Sequence, residues 1–335
     1  MASPNPIVFT APGLGPDMSI EVFKQIFHVN SMVLKIHSEY FRNYLDSPDK
    51  APAGSVAGAF KYEWVTQVDE DGKGWSLTAK EKVSNKSNGQ PFTGKPEEQI
   101  EAFKSILCAL HIRPITIKTP AQLCQVTELA DFYRILPAVS TALNGTLFDN
   151  PEFLSTVPSN CVILLEASYK LRNKILFKEC FIHVMGPWSK PRFHGLKEQK
   201  LKDLGTQKHM QLCMQIMQTQ LGLVVMISTG PMVNWGEHSG RQLSAAISDI
   251  ACDYAVTNDN GKGLIVPLYY RLLCRIPPGT VLLPKVENLL KPMLKSQLVL
   301  DKSGKQAGEG IYMDSFLCFE ITDEELPWDV KQTTW

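Results

Sequence analysis

The sequence predicts an α+β fold in two parts. Short β-rich runs separated by polar turns lie between Ser19 and Ala79, apolar residues recur at helical spacing from Glu97 to Leu143, and the second half keeps the helical period nearly to its end. At 335 residues the chain is long enough for two domains. With 44% hydrophobic and 20% charged residues it is too apolar for a disordered chain and too charged for a membrane protein, so a soluble globular chain is expected. Lys+Arg 34 balance Asp+Glu 34. No general field therefore draws nucleic acid or anionic lipid, and such binding would need a local patch.

The elements follow in order. SIEVFKQIFHV, Ser19 to Val29, reads as a hairpin turning at Lys24 and Gln25. Asn30 or Ser31 caps a helix carrying Val33, Leu34 and Ile36, and Ser38 caps a second, short one with Tyr40, Phe41, Tyr44 and Leu45 on one face. Residues 49–59 are small and featureless, a loop. Phe60, Tyr62, Trp64 and Val68 then alternate with polar residues, and DEDGKG turns the chain into WSLTA, a second hairpin. A polar connection follows, before a helix from Glu97 bearing Ile100, Phe103, Ile106, Leu107 and Leu110. Pro120 suits a first helical position, with Leu123, Val126, Ala130 and Tyr133 behind it, and Leu136, Val139 and Leu143 continue to a stop at Asn144-Gly145.

In the second half Leu164, Ser168, Leu171 and Ile175 share a face, and Phe177, Phe181 and Val184 carry on to Gly186-Pro187-Trp188. One long helix is expected from Lys197 to about Ile227, weakened near Gly205 and Gly222, and another from Leu243 to Val256. Gln297–Leu300 and Tyr312–Phe319 suggest a late β-hairpin with a long tip. The expected domains are residues 17–150 and a mainly helical 151–335.

Chemical motifs are sparse. GQPFTGKP at 89–96 fits a phosphate-loop pattern but puts Pro96 where a hydroxyl belongs and lacks a preceding buried strand. Asp69-Glu70-Asp71 opens like a calcium loop, yet Lys73 and Lys80 stand where oxygen ligands are needed, so a hairpin turn is the better reading. Cys180 with His183, and Cys108 with His111, share helical faces without the two further ligands that zinc requires. The eight cysteines form no C-x-x-C pair and read as free thiols in a reducing compartment. No catalytic, cofactor-binding or metal-ligating residue is nominated. The start lacks a signal-peptide pattern, and the densest apolar run, Leu221–Ile227, is seven residues, so neither export nor a membrane span is expected. Lys190, Arg192, Lys197, Lys200, Lys202 and Lys208 against Glu198 and Asp203 leave a basic excess between 190 and 209 that reads as a solvated face.

FHVNSMVLKIHSEYFRNYL resembles the signature of the BTB/POZ family at Phe27, Val29, Val33, Leu34, Ser38, Tyr40, Phe41, Arg42 and Leu45. Farther on, Leu129, Ala130, Asp131 and Tyr133 match that family's Leu-Ala-Asp-x-Tyr stretch. Three departures stand out: Asn30 replaces the usual His, His111 stands in place of a Tyr, and residues of about 49–96 form an insertion with its own Trp-containing hairpin. That insertion and KLRNKILFKECFIHVMGPW resemble fungal-type members. The resemblance implies a non-enzymatic interaction domain, often homodimeric through the region around Ile20–Ile36, with protein partners that in many members include a cullin-type ubiquitin ligase. A partner helix would lie near Phe103–Tyr133. Two rival readings are an enzyme with an unrecognised site in the cleft between the two domains, which Cys180 and His183 could join, and a nuclear regulator touching DNA through residues 190–209. An intracellular location, cytoplasmic or nuclear, is expected.

Overall fold

The computed structural model describes residues 5–47, 60–82, 91–229, 237–253, 257, 263–276, 283–301, 304–333 and 335. It is mixed α+β and divides into two compact units. The first comprises residues 1–156, 167–173 and 331–335, and the second residues 157–166 and 174–330.

The first unit is built on a five-stranded sheet. Strands β1 (Ile7–Val8), β2 (Met18–Val22), β3 (Gln25–Val29), β4 (Tyr62–Val68) and β5 (Trp75–Ala79) lie in the order β1-β3-β2-β4-β5. β2 pairs antiparallel with β3, Ile20 opposite Phe27, and parallel with β4, Ile20 opposite Trp64. This register puts Met18, Ile20, Val22, Phe27, Val29, Tyr62 and Trp64 on the buried face, as a period of two requires. The β2–β3 turn falls at Phe23 and Lys24, one residue earlier than the sequence suggests, and both have positive φ, 45° and 81°. Phe23 is held there by its amide on Thr66 Oγ1 at 3.0 Å and by ring contacts to Trp75 at 5.4 Å and Phe92 at 4.8 Å.

The hairpin at Tyr62–Ala79, within the stretch read as an insertion, is built into the sheet. Its strands supply two of the sheet's five, and β4 is an inner strand between β2 and β5. Residues 49–59 and 83–90 of the expected insertion lie outside the described residues.

Between β3 and β4 come α1 (Ser31–His37) and α2 (Glu39–Tyr44). Asn30 caps α1, its side chain accepting from Met32 N–H, and Ser38 caps α2, accepting from Phe41 N–H. The sheet is followed by α3 (Pro96–Leu110), α4 (Pro120–Phe132) and α5 (Leu136–Phe148). α3 and α4 each take Pro at a first-turn position, where its missing N–H costs nothing. α5 does not stop at Asn144-Gly145 but runs through it. Asn144 Oδ1 there accepts from the buried Asn173 side chain at 2.8 Å.

Helix α6 (Pro151–Lys170) contributes residues to both units and bears a kink at Asn160, two residues after its internal Pro158. The second unit continues with α7 (Lys174–Met185), α8 (Gln199–Thr229), α9 (Glu237–Cys252), α10 (Val266–Leu273) and α11 (Leu283–Leu294). α8 is unbroken at its two glycines. A Cβ on Gly205 would sit 3.0 Å from the Phe193 side chain, and one on Gly222 would sit 2.9 Å from Leu289, so both serve close packing. Part of the helix expected to run to Val256 lies outside the described residues.

The expected late hairpin is absent: no strand occupies Gln297–Leu300 or Tyr312–Phe319 among the described residues. The reason lies in α7. Its buried Glu179 carboxylate accepts the amides of Val299, Leu300 and Asp301 at 2.8, 3.1 and 3.1 Å, so donors that a ladder would need are already engaged. A single backbone bond, Gln297 N–H to Leu317 O at 2.9 Å, remains between the two segments.

Ser38 also donates from Oγ to the Tyr133 carbonyl at 2.6 Å, in a fully buried position. Ser38→Ala removes both that bond and the α2 cap and leaves a buried carbonyl unpaired. The expected cost is about 2–3 kcal/mol, measured as a lower chemical-denaturation midpoint. A loss below about 0.5 kcal/mol would contradict the assignment.

Candidate interaction surfaces

The family-like residues fall into a core set and a surface set. Phe27, Val29, Val33, Leu34, Ser38, Phe41, Ala130 and Tyr133 are buried, as is Leu45. Tyr40, Leu129 and Asp131 are half-buried, and Arg42 is exposed. The structure brings most of the aromatic members together. Phe41 stacks on Tyr133 with 5.6 Å between centroids and 2° between planes, Tyr40 meets Tyr133 edge-on at 5.1 Å, and Phe27 lies 5.8 Å from Phe103, which lies 5.7 Å from Tyr133. Burial pushes the Tyr40 hydroxyl up to about 12 and that of Tyr133 well above its usual range. These are fold determinants and offer no contact surface. Phe103 and Tyr133, the expected bounds of a helix-binding face, are themselves fully buried.

Arg42 has a different task. Its guanidinium donates to the carbonyls of Lys35 at 3.0 Å and Ile36 at 3.1 Å, satisfying the open end of α1. Asp131 takes Arg134 at 3.7 Å and Lys170 at 3.8 Å, an exposed arrangement worth little energy.

What sequence reasoning missed lies beside Arg42. A groove of about 1400 Å³ opens on the first unit between the α1–α2 junction, the α3–α4 connection and α5, reaching Trp335. Its cations, Arg42, Arg113, Lys118 and Arg134, exceed its carboxylates, Glu39, Asp149 and Glu152, by one. Arg113 lies over the Phe9 ring at 4.9 Å, and Trp335 lies under Arg172 at 4.8 Å. Two groove residues expose large apolar side chains, Ile36 at 59% and Ile112 at 91%, and Met32, one turn before Ile36 on α1, is 54% exposed. Ile112 follows the α3 C-cap at φ 54°, with the Arg113 amide reaching back to Cys108 O at 2.9 Å. This is the left-handed position that glycine usually fills, and a β-branched residue there carries backbone strain.

In the second unit, Glu179, His183, Asp301 and Tyr312 form a buried polar cluster. The Tyr312 hydroxyl donates to Asp301 Oδ2 at 2.7 Å, the Tyr312 ring stacks on His183 at 5.9 Å, and His183 Nε2 lies 4.0 Å from Glu179 Oε1. Burial raises the Glu179 carboxyl against the pull of its three backbone donors. Cys180 is fully buried, and burial pushes its thiol well above the usual range, the opposite of what an attacking thiolate needs. Cys161 is raised by burial despite Arg192 Nη1 at 3.3 Å from its sulfur. The cluster's visible work is to hold the 299–301 loop.

Of the basic run at 190–209, Lys208 is buried and donates to Glu325 at 2.7 and 2.8 Å and to Glu320 O at 2.8 Å. Arg192 is tied to Cys161 and to the Pro158 carbonyl. The phosphate presented by DNA would therefore meet a smaller surface than the sequence offers. Asp69 turns the β4–β5 hairpin, its amide donating to Gly74 O at 3.0 Å. Among the described residues no cluster of His, Cys, Asp and Glu is placed to hold a metal ion. The phosphate-loop match at 89–96 lies partly outside them.

By length and composition, one helix among the described residues, Gln199–Ser228 of α8, is long and apolar enough to cross a membrane. The expectation of no span rested on contiguous apolar runs, whereas over a longer window the glutamines are diluted by the apolar residues around them. No family model matches the chain, and no curated protein or solved structure does either.

Burial pushes the His183 imidazole down to about 4, against about 6.5 in an unfolded chain. The folded value is the lower, so this contribution to stability is complete above about pH 6.5 and is lost as the pH falls toward about 4, at up to about 1.4 kcal/mol per pH unit. Denaturation midpoints measured from pH 7 to 4 are expected to fall for the wild type and to fall less steeply for His183→Gln. Equal slopes would contradict this reading.

Proposed function

We propose that this chain is a non-enzymatic interaction protein, in which a BTB/POZ-like first unit acts as a homodimerising adaptor or scaffold. The observation that carries the reading is the exposure of Met32, Ile36 and Ile112 beside the basic-rimmed groove. Singly exposed apolar residues need no explanation, but an isoleucine held at positive φ with its side chain in solvent burdens the fold without a packing return. Its return comes when a partner covers it.

The core lends support of a second kind. Among the residues that carry the family resemblance, Tyr40 and Phe41 pack on the buried Tyr133, and Phe27 reaches it through Phe103. Met32 and Ile36 lie one turn apart within the Ile20–Ile36 region expected to dimerise, on the face of α1 that its own core leaves free. A protein partner with acidic and apolar side chains suits the groove, whose rim is net basic. A cullin-type ligase is the first such partner to try, and the intracellular location follows only from that choice.

Light scattering on a sizing column tests the homotypic contact. Met32→Asp with Ile36→Asp is expected to halve the mass of the wild type while leaving the circular dichroism unchanged. A mass unaffected by both changes would exclude association through α1. Pull-down with a cullin tests the partner class, and no capture would leave a scaffold without the ligase role. Ile112→Gly relieves the strained position and is expected to raise stability by about 1 kcal/mol while weakening partner capture. A destabilised Ile112→Gly variant would contradict the strain argument.

A further inference from the structure

We propose that α8 is a second homotypic interface, through which two copies of the chain pack seam to seam about a twofold axis.

α8 carries two apolar stripes. The inner one, Leu201, Gly205, Leu212, Thr219 and Leu223, is buried in its own unit, joined there by Lys208 in its pair with Glu325. The outer one is Met210, Met214, Met217, Leu221 and Val224, spaced 4-3-4-3, with Val225 beside it. Each of these six is between 55% and 62% exposed. Alternation of four and three is the 3.5-residue period of a helix that faces another helix along a narrow seam. At these exposures the six present on the order of 600 Å² per copy, at the upper end of the roughly 300–600 Å² of a typical monomer's largest patch and approaching the roughly 800 Å² per partner of a stable interface.

The flanks select the occupant. From Met210 to Thr229 the helix has no Asp, Glu, Lys or Arg, and Gln211, Gln215 and Gln218 stand exposed beside the seam. A twofold contact sets like against like, so a charge near the seam would meet its own copy. A primary amide is both donor and acceptor and pairs with itself. Methionine repacks readily against methionine. A helix lying on a membrane surface would carry Lys or Arg along its polar face, which this stretch lacks. A spanning helix would place three exposed amides in hydrocarbon, each at a cost of several kcal/mol, and would surrender the inner seam. A second copy satisfies every group named.

This interface is independent of α1, so the two are separable. Sedimentation equilibrium of the full chain is to be run for the wild type, Met214→Glu/Met217→Glu, Met32→Asp/Ile36→Asp and the combined variant. The α8 substitutions replace exposed residues, and circular dichroism should be unchanged. With the two twofold contacts closing into a tetramer, the expected result is a tetrameric wild type that either pair of substitutions reduces to a dimer, with the combined variant monomeric. An unchanged mass in both backgrounds overturns the proposal, whatever the α1 pair does. Co-flotation of the wild type with neutral phosphatidylcholine vesicles, lost in the α8 pair, would also overturn it and assign the stripe to lipid. If only the α1 pair leaves the mass unchanged, the first-unit reading fails and this one stands.

Discussion

The first unit depends on how the Tyr133 position is held. Tyr133 follows the last residue of α4 and is fully buried, and rings from three other elements close on it: Tyr40 and Phe41 from α2, Trp75 from β5 and Phe103 from α3. Its carbonyl receives the Ser38 hydroxyl, which also caps α2. One serine thus fixes the start of a short helix and ties it to a residue 95 positions away. α2 is six residues long and would not persist alone in water. Its orientation, and with it the exposed face of the neighbouring α1, follows from this junction.

The same economy explains why the surface was harder to read than the core. Buried positions follow period and cap rules that a sequence displays: Ser38, Pro120 and the alternation through Tyr62 and Trp64 placed their elements correctly. The sheet's order was not legible. Parallel pairing of β2 with β4 joins segments separated by α1 and α2, and nothing local distinguishes an inner strand from an inserted hairpin. The late hairpin failed for a related reason. Its segments have strand-like composition, but Glu179, more than 100 residues earlier, takes their amides. Exposed Ile112 and the outer stripe of α8 were also hidden, since apolar residues at helical spacing look alike whether they face a core or solvent.

The second unit shows a contrasting use of polar groups. Glu179 and Lys208 are buried or nearly so, and each is satisfied by several partners, which lets it organise an irregular segment that has few strands or helices of its own. Such groups destabilise when their partners are removed and are costly to leave half-paired. Their placement against 299–301 and 320–325 accounts for the order of a loop-rich end. Burial, first among the causes, shifts His183 down and Cys180 up. Exposed apolar side chains also stand on α1, after α3 and along α8, and these are the faces the proposals above assign to a second polypeptide.

Hydrogen exchange of the full chain, followed from about 0.1 to about 100 μM protein, tests this most directly. Protection of peptides spanning residues 31–37 and 210–225 should rise with concentration while that of the Tyr133 core stays constant. Exchange that is independent of concentration in both segments would contradict the view that these faces exist to be covered by another copy.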